Sequence, residues 1–266
     1  MVRTNIHSVP DLIRPEHVLV SVSDKDGLPL LVQSIREINP AVIFYSTGGT
    51  GGTVLNALGA APGERHLNYC PVERLTGVPE MEGGLVKTLT PHIFAGLLAE
   101  RGNPDHERYL SHDLRLPRQE HLKTFLSYIP LEQHEAAMQA AIDATPKIPM
   151  FDTCIVNFYP FRRTALDPTK TTEEVRAQVD IGGPSMVAAG AKNWHYVAVL
   201  SHPVLYEEAT LALGQKGGFS REDRFEYAIS ACGQVAAYRD DISIFFTNLQ
   251  LDNGFKTKVL SDIVLE

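Results

Sequence analysis

Two stretches of this 266-residue sequence place hydroxyls, glycines and an ammonium where an apolar run gives way to a helical pattern. In Ser21-Val22-Ser23-Asp24-Lys25-Asp26-Gly27, the donors are the Ser21 and Ser23 hydroxyls and the Lys25 ammonium. In Ser46-Thr47-Gly48-Gly49-Thr50-Gly51-Gly52, the hydroxyls of Thr47 and Thr50 join the bare backbone of Gly48 and Gly49. Such a loop directs backbone N–H groups outward at the positive end of a helix dipole, which suits a phosphate. Turn and cap chemistry accounts for either loop alone. A pair at one edge of a parallel sheet, where ligands collect, points to a bound anion.

Three further polar segments interrupt apolar surroundings: Gly84 to Pro91, Asn157-Phe158-Tyr159-Pro160-Phe161, and Asp180-Ile181-Gly182-Gly183-Pro184 running on to Ala191-Lys192-Asn193. Packing alone does not explain them. Other chemistries leave no trace. There is no Gly-x-x-x-x-Gly-Lys-Ser/Thr, no Gly-x-Ser-x-Gly and no histidine pair at helical metal spacing. His106 and His112 lie in a charged stretch without matched partners and read as solvated surface residues, so neither a metal nor a cofactor is expected.

The elements that must carry these residues follow from periodicity. Strands are expected over His17 to Val22, Ala41 to Tyr45, Thr153 to Phe158 and Tyr196 to Leu200. Helices follow the first two, through Leu28, Leu30, Leu31 and Ile35 and then through Val54, Leu55 and Leu58. Two strand-loop-helix units in succession favour a parallel sheet covered by helices. Thr171 to Gln178 reads as a helix with Thr172 as N-cap and Glu173 and Glu174 in its first turn. The stretch from Arg101 to Lys147, with helices near Gln119 to Tyr128 and Leu131 to Ala144, reads as a charged surface insertion into a single domain. A long final helix starts at Ser220, with Phe225, Ala228, Ile229, Cys232, Val235 and Ala236 as its core stripe.

Composition narrows the class. A hydrophobic content of 44% suffices for a buried core. The formal charge of −8, from 24 Lys and Arg against 32 Asp and Glu, argues against a nonspecific grip on nucleic acid. Cys70, Cys154 and Cys232 are odd in number and far apart, and read as small buried hydrophobes rather than disulfide or metal partners. Neither a signal peptide nor a membrane-spanning run is visible, so a cytoplasmic protein is expected.

Taken in order, Ser21 to Lys25, Ser46 to Thr50, Thr76 to Met81, Lys87-Thr88-Leu89, Asn157 to Phe161, Asp180 to Pro184, Ala191-Lys192-Asn193 and Ala236-Ala237-Tyr238 resemble a known family over nearly the whole chain. The family is the IMP cyclohydrolase domain that forms the N-terminal half of the bifunctional AICAR transformylase/IMP cyclohydrolase. The resemblance implies a methylglyoxal-synthase-like fold, a doubly wound α/β parallel sheet with its site at the strand ends. It also implies that the transformylase half is missing. The implied activity is dehydrative closure of formyl-AICAR to IMP. Its implied partners are that purine-precursor ribonucleotide, a second copy of the chain in a homodimer, and a separate AICAR formyltransferase.

In that reaction Lys87 would stabilise the developing oxyanion, helped by the Tyr159 hydroxyl and by backbone N–H groups of Ile181, Gly182 and Gly183. Asp180 and Lys192 would handle the proton as a pair, and Asn157 and Thr88 would hold the carboxamide or ring. Departures from the family pattern are Leu85 and Ala188 at arginine positions, and Thr90, Phe94 and Trp194 at histidine positions. They keep two alternatives open, a diverged paralogue closing a related heterocycle and a regulatory domain that binds a purine nucleotide without chemistry.

Overall fold

The computed structural model describes residues 9–61, 66–77, 87–115 and 130–249. Its centre is a five-stranded parallel sheet. In chain order, β1 (Leu12–Ile13) precedes β2 (His17–Ser21), α1 (Leu28–Ile38), β3 (Ile43–Ser46), α2 (Gly48–Ala57), β4 (Tyr69–Pro71) and α3 (Val72–Thr76). Next come α4 (Pro91–Leu98), α5 (Pro104–Ser111), α6 (His134–Ala144), β5 (Thr153–Val156), α7 (Phe161–Ala165), α8 (Thr172–Arg176) and α9 (Gly182–Lys192). The chain continues through β6 (Ala198–Leu200), α10 (Val204–Lys216), β7 (Phe219–Ser220) and α11 (Arg221–Thr247).

The sheet order is β4-β3-β2-β5-β6. The chain winds outward from β2 to one side and returns to β5 on the other, so the order reverses between β2 and β5. Such a switch point leaves a crevice at the C-terminal strand ends. Alternation along each strand feeds two cores: Leu19, Cys154, Val156 and Val199 face one, and Val18, Val20, Ile155 and Leu200 the other. Helices α1, α2 and α10 cover the second face, and α4, α9 and α11 the first. This is the α/β architecture of the methylglyoxal-synthase-like fold.

Several local expectations change. The second glycine-rich segment is not a loop, because the helix already begins at Gly48. Tertiary packing overrides the poor helix propensity of glycine. A Cβ on Gly51 would lie 2.1 Å from the Tyr69 hydroxyl, so only glycine lets β4 approach α2. Thr171, not Thr172, caps α8, completing a capping box with Glu174, while Thr172 is buried in the first turn.

The core stripe of α11 is also different. Ser220 does cap it, with Asp223 returning the bond. Yet Phe225 and Ile229 are 48% and 59% exposed, Cys232 and Ala236 are exposed, and the buried face runs through Arg224, Tyr227, Ala228, Ala231, Tyr238 and Phe245. The reason is Arg224. Its fully buried guanidinium donates to the carbonyls of Pro10, Trp194, His195 and Phe219, which turns a charged residue into a core position. Cys154 is buried as expected, but Cys70 is half-buried and Cys232 exposed. In the stretch from Arg101 to Lys147, α5 and α6 are formed. The helix expected near Gln119 to Tyr128, Leu85 and the Val78 to Met81 part of its motif lie outside the described residues. Among the described residues, no helix is long and apolar enough to cross a membrane.

Candidate functional site

Three of the polar segments leave the sheet at C-terminal strand ends. Ser21 closes β2, Thr47 follows β3 and Asn157 follows β5, so parallel pairing brings them to one edge. Here a cavity of about 790 Å³ opens, within the range of small-molecule clefts. Ser21, Ser23 and Lys25 line one side together with Thr47, Gly49 and Thr50 from the head of α2. Lys87, Thr88, Tyr159, Asp180, Ile181, Gly182 and Gly183 line the rest, over an apolar floor that includes Val179 and Met186. Two expected residues are elsewhere. Gly48 is exposed and does not line the cavity.

Lys192 is the larger correction. Asp180 lies one residue ahead of the N-cap of α9, whereas Lys192 is that helix's last residue and is exposed. Ten residues of α-helix separate Gly182 from Lys192, about 15 Å of rise. Within one chain, then, Asp180 and Lys192 form no proton-handling pair.

Hydrogen bonding divides the lining residues into those that face a ligand and those that hold the walls. The Asn157 side-chain oxygen accepts the Ser23 and Asp24 N–H groups at 2.7 and 2.9 Å, and its amide donates to the Asp24 carbonyl at 2.7 Å. It braces the first loop rather than offering its amide to a carboxamide. The Thr50 hydroxyl is spent on Val22, accepting from its N–H and donating to its carbonyl. The Thr47 side chain caps no amide of α2, and the first-turn amides of a helix have no intrahelical acceptor. Thr47, Gly49, Ser21, Ser23 and Lys25 make up one wall of the cavity.

Asp180 is bound into its own turn. Its carboxylate accepts the Gly183 N–H at 2.9 Å, with the Tyr159 and Gly182 amides adding to that hold. The Gly183 amide consequently points at Asp180 and not at a substrate oxygen, contrary to the oxyanion role expected of it. Burial raises the Asp180 pKa above the ordinary carboxylate value, outweighing the N–H groups that lower it. Close approach explains the glycine pair. A Cβ on Gly183 would sit 2.5 Å from the Asp180 carboxylate and 3.1 Å from the Phe158 ring, and one on Gly182 2.9 Å from the Thr88 hydroxyl. Tyr159, 45% exposed, is on the cavity surface and not in the core.

Two tyrosines that sequence reasoning gave no role stand behind this wall. Tyr206 places its hydroxyl 3.4 Å from the Asn157 amide, and Tyr238 holds the backbone beside Asp180. Nothing in their spacing could have announced it, since each arrives from a distant helix. The departures from the family pattern that lie among the described residues fall away from the cavity. Thr90 is buried at the head of α4, Phe94 packs against the core, Ala188 is exposed, and Trp194 stacks near Phe225.

Residues 190–263 match the family model described as AICARFT/IMPCHase bienzyme. A "Bifunctional purine biosynthesis protein PurH" from Prochlorococcus marinus (strain MIT 9303) is 36% identical over 226 residues, 85% of this chain and 35% of that protein. The PurH of Natranaerobius thermophilus is 32% identical over 247 residues, covering 91% of this chain and 38% of its own length. This chain thus spans about a third of the length of these curated relatives. Among solved structures, "Crystal structure of ForH" aligns with a TM-score of 0.58 and 26% identity, covering 87% of this chain and 97% of that one. On fold, residue order and sequence relatedness alike, the chain fits a PurH-related, IMP-cyclohydrolase-like domain.

Proposed function

We propose that this chain is an IMP cyclohydrolase of purine biosynthesis, closing formyl-AICAR to IMP with loss of water. The observation that carries the reading is the convergence of Lys25, Thr47, Lys87, Tyr159 and Asp180, from distant parts of the sequence, on one cavity at the switch point of the sheet. A ribotide phosphate would occupy the wall of Ser21, Ser23, Lys25, Thr47 and Gly49, and its heterocycle would reach toward Lys87 and Asp180.

In this reading the carboxamide nitrogen attacks the formyl carbon, a C–N bond forms, and the formyl oxygen gathers negative charge. The Lys87 ammonium, the Tyr159 hydroxyl and the Thr88 hydroxyl offset that charge. Asp180, with its raised pKa, is the stronger base for the proton leaving nitrogen. The former formyl oxygen takes up that proton and a second one and departs as water, its C–O bond breaking as the formamido nitrogen gives up its N–H proton and forms the C=N bond of the closed ring. With Lys192 at the far end of α9, Lys87 is the ammonium that remains at the reacting end. A homodimer and a separate formyltransferase belong to the same proposal.

The test is direct. Purified protein is mixed with formyl-AICAR and IMP formation is followed by the ultraviolet change on ring closure. Nucleotide binding without IMP at any protein concentration would replace this reading with the regulatory one. The related-heterocycle alternative takes its motive from Leu85, Thr90 and Phe94 around Lys87, and of these Thr90 and Phe94 do not line the cavity.

A further inference from the structure

Asp180 is anchored from outside the cavity as well as from within its turn. A smaller cavity of about 230 Å³ shares Val179, Asp180 and Ile181 with the large one and is completed by Tyr238, Arg239, Ile242 and Ser243 of α11. The Val179–Ile181 segment is thus a thin partition, and Tyr238 holds it. Its hydroxyl accepts the Asp180 N–H at 2.8 Å and donates to the Gln178 carbonyl at 2.9 Å. Its ring lies 4.9 Å from that of Phe158 and 6.1 Å from that of Phe161. The ring is therefore clamped by the segment that carries Tyr159, while its oxygen clamps the segment that carries Asp180.

We infer that Tyr238 is a positioning residue for Asp180, the long C-terminal helix setting through one phenol the orientation of the carboxylate at the cavity. The inference rests on the cyclohydrolase reading and adds to it a residue that touches no substrate. The phenol must accept and donate at once, which only its neutral form can do. Burial supplies that condition, pushing the Tyr238 pKa up to about 12. Lys87 and Tyr159 line the large cavity with Asp180, and Tyr238 and Arg239 line the smaller one beyond the partition.

The experiment compares wild type, Tyr238→Phe and Tyr227→Phe in the full chain. Tyr227 is a buried phenol on the same helix whose hydroxyl has no partner among the described residues and which lines neither cavity. Hydrogen exchange is read over residues 178–183, alongside IMP affinity, kcat and its pH profile. Tyr238→Phe is expected to lose amide protection over 178–183, to lower kcat by about tenfold or more, and to move the acid limb of the profile. IMP affinity should stay within about twofold of wild type, because the wall proposed to hold the phosphate is built from other segments. Tyr227→Phe should leave protection, kcat and the acid limb in place. Unchanged protection in Tyr238→Phe, or lost protection with kcat and acid limb intact, overturns the inference. Should the wild type bind IMP without turnover while the variant still loses protection, the positioning stands and the cyclohydrolase reading falls.

Discussion

Thr50 and Val22 hold each other twice, the Thr50 hydroxyl accepting the Val22 N–H and donating to the Val22 carbonyl, both at 3.1 Å. The pair is buried and joins the end of β2 to the head of α2, tying together the two segments proposed to hold the phosphate. Thr50→Val keeps the shape and removes both bonds. It is expected to destabilise the fold by about 1–3 kcal/mol in urea denaturation and to weaken nucleoside monophosphate binding. Thr50→Ser, retaining the hydroxyl, should lie close to wild type in both measurements.

Glycine is required by space at Gly183 and is dispensable at Gly52. An added methyl at Gly183 meets the Asp180 carboxylate and Phe158, whereas one at Gly52 meets nothing within 4 Å. Gly183→Ala should lower turnover by about 10²-fold. Gly52→Ala should leave turnover alone and raise stability by about 0.5–1 kcal/mol, as helix propensity dictates. Steady-state kinetics and thermal melts on the two variants check the contrast.

The two expected lysines are separated by the same geometry. Lys87→Ala should cost about 10²–10³-fold in kcat, the usual effect of removing a charge-stabilising donor. Lys192→Ala, at the exposed end of α9, should cost far less. Equal losses would show that a second chain brings Lys192 to the site.

Asp152, at the head of β5, sets a pH dependence of stability. Its buried carboxylate accepts the Glu16 and His17 N–H groups, yet burial still pushes its pKa up to about 6. A folded pKa above the unfolded value means that the protonated group favours the fold. Its contribution is complete below about pH 4 and is lost as pH rises through 6, on the order of 3 kcal/mol. Asp152→Asn keeps an acceptor for the two N–H groups without the charge. Relative to wild type it should therefore gain stability between pH 4 and pH 7.5, read from urea midpoints at the two values.

Local signals were legible wherever one segment suffices. The β-branched runs of β2, β3 and β5, the Ser220 cap with Asp223, and the polar segments at the strand ends are all short-range patterns. Misreadings came where distant atoms decide. Phe225 and Ile229 have helical spacing suited to a core, but the buried Arg224 finds its four carbonyl partners on other segments and rotates α11 the other way. Asn157 and Thr50 have the chemistry of ligand donors, and tertiary contacts consume it.

Residue order and type by themselves determined the parallel α/β sheet, the relationship to the AICARFT/IMPCHase family, and most of the polar residues that line the cavity. Only the folded chain decided which of those residues face inward, because hydrogen-bond partners and the rise of a helix are properties of position. Asp180 and Lys192 are twelve residues apart in sequence and read as a pair, yet α9 puts them at its two ends. Tyr238, fifty-eight residues from Asp180, is the one that reaches it.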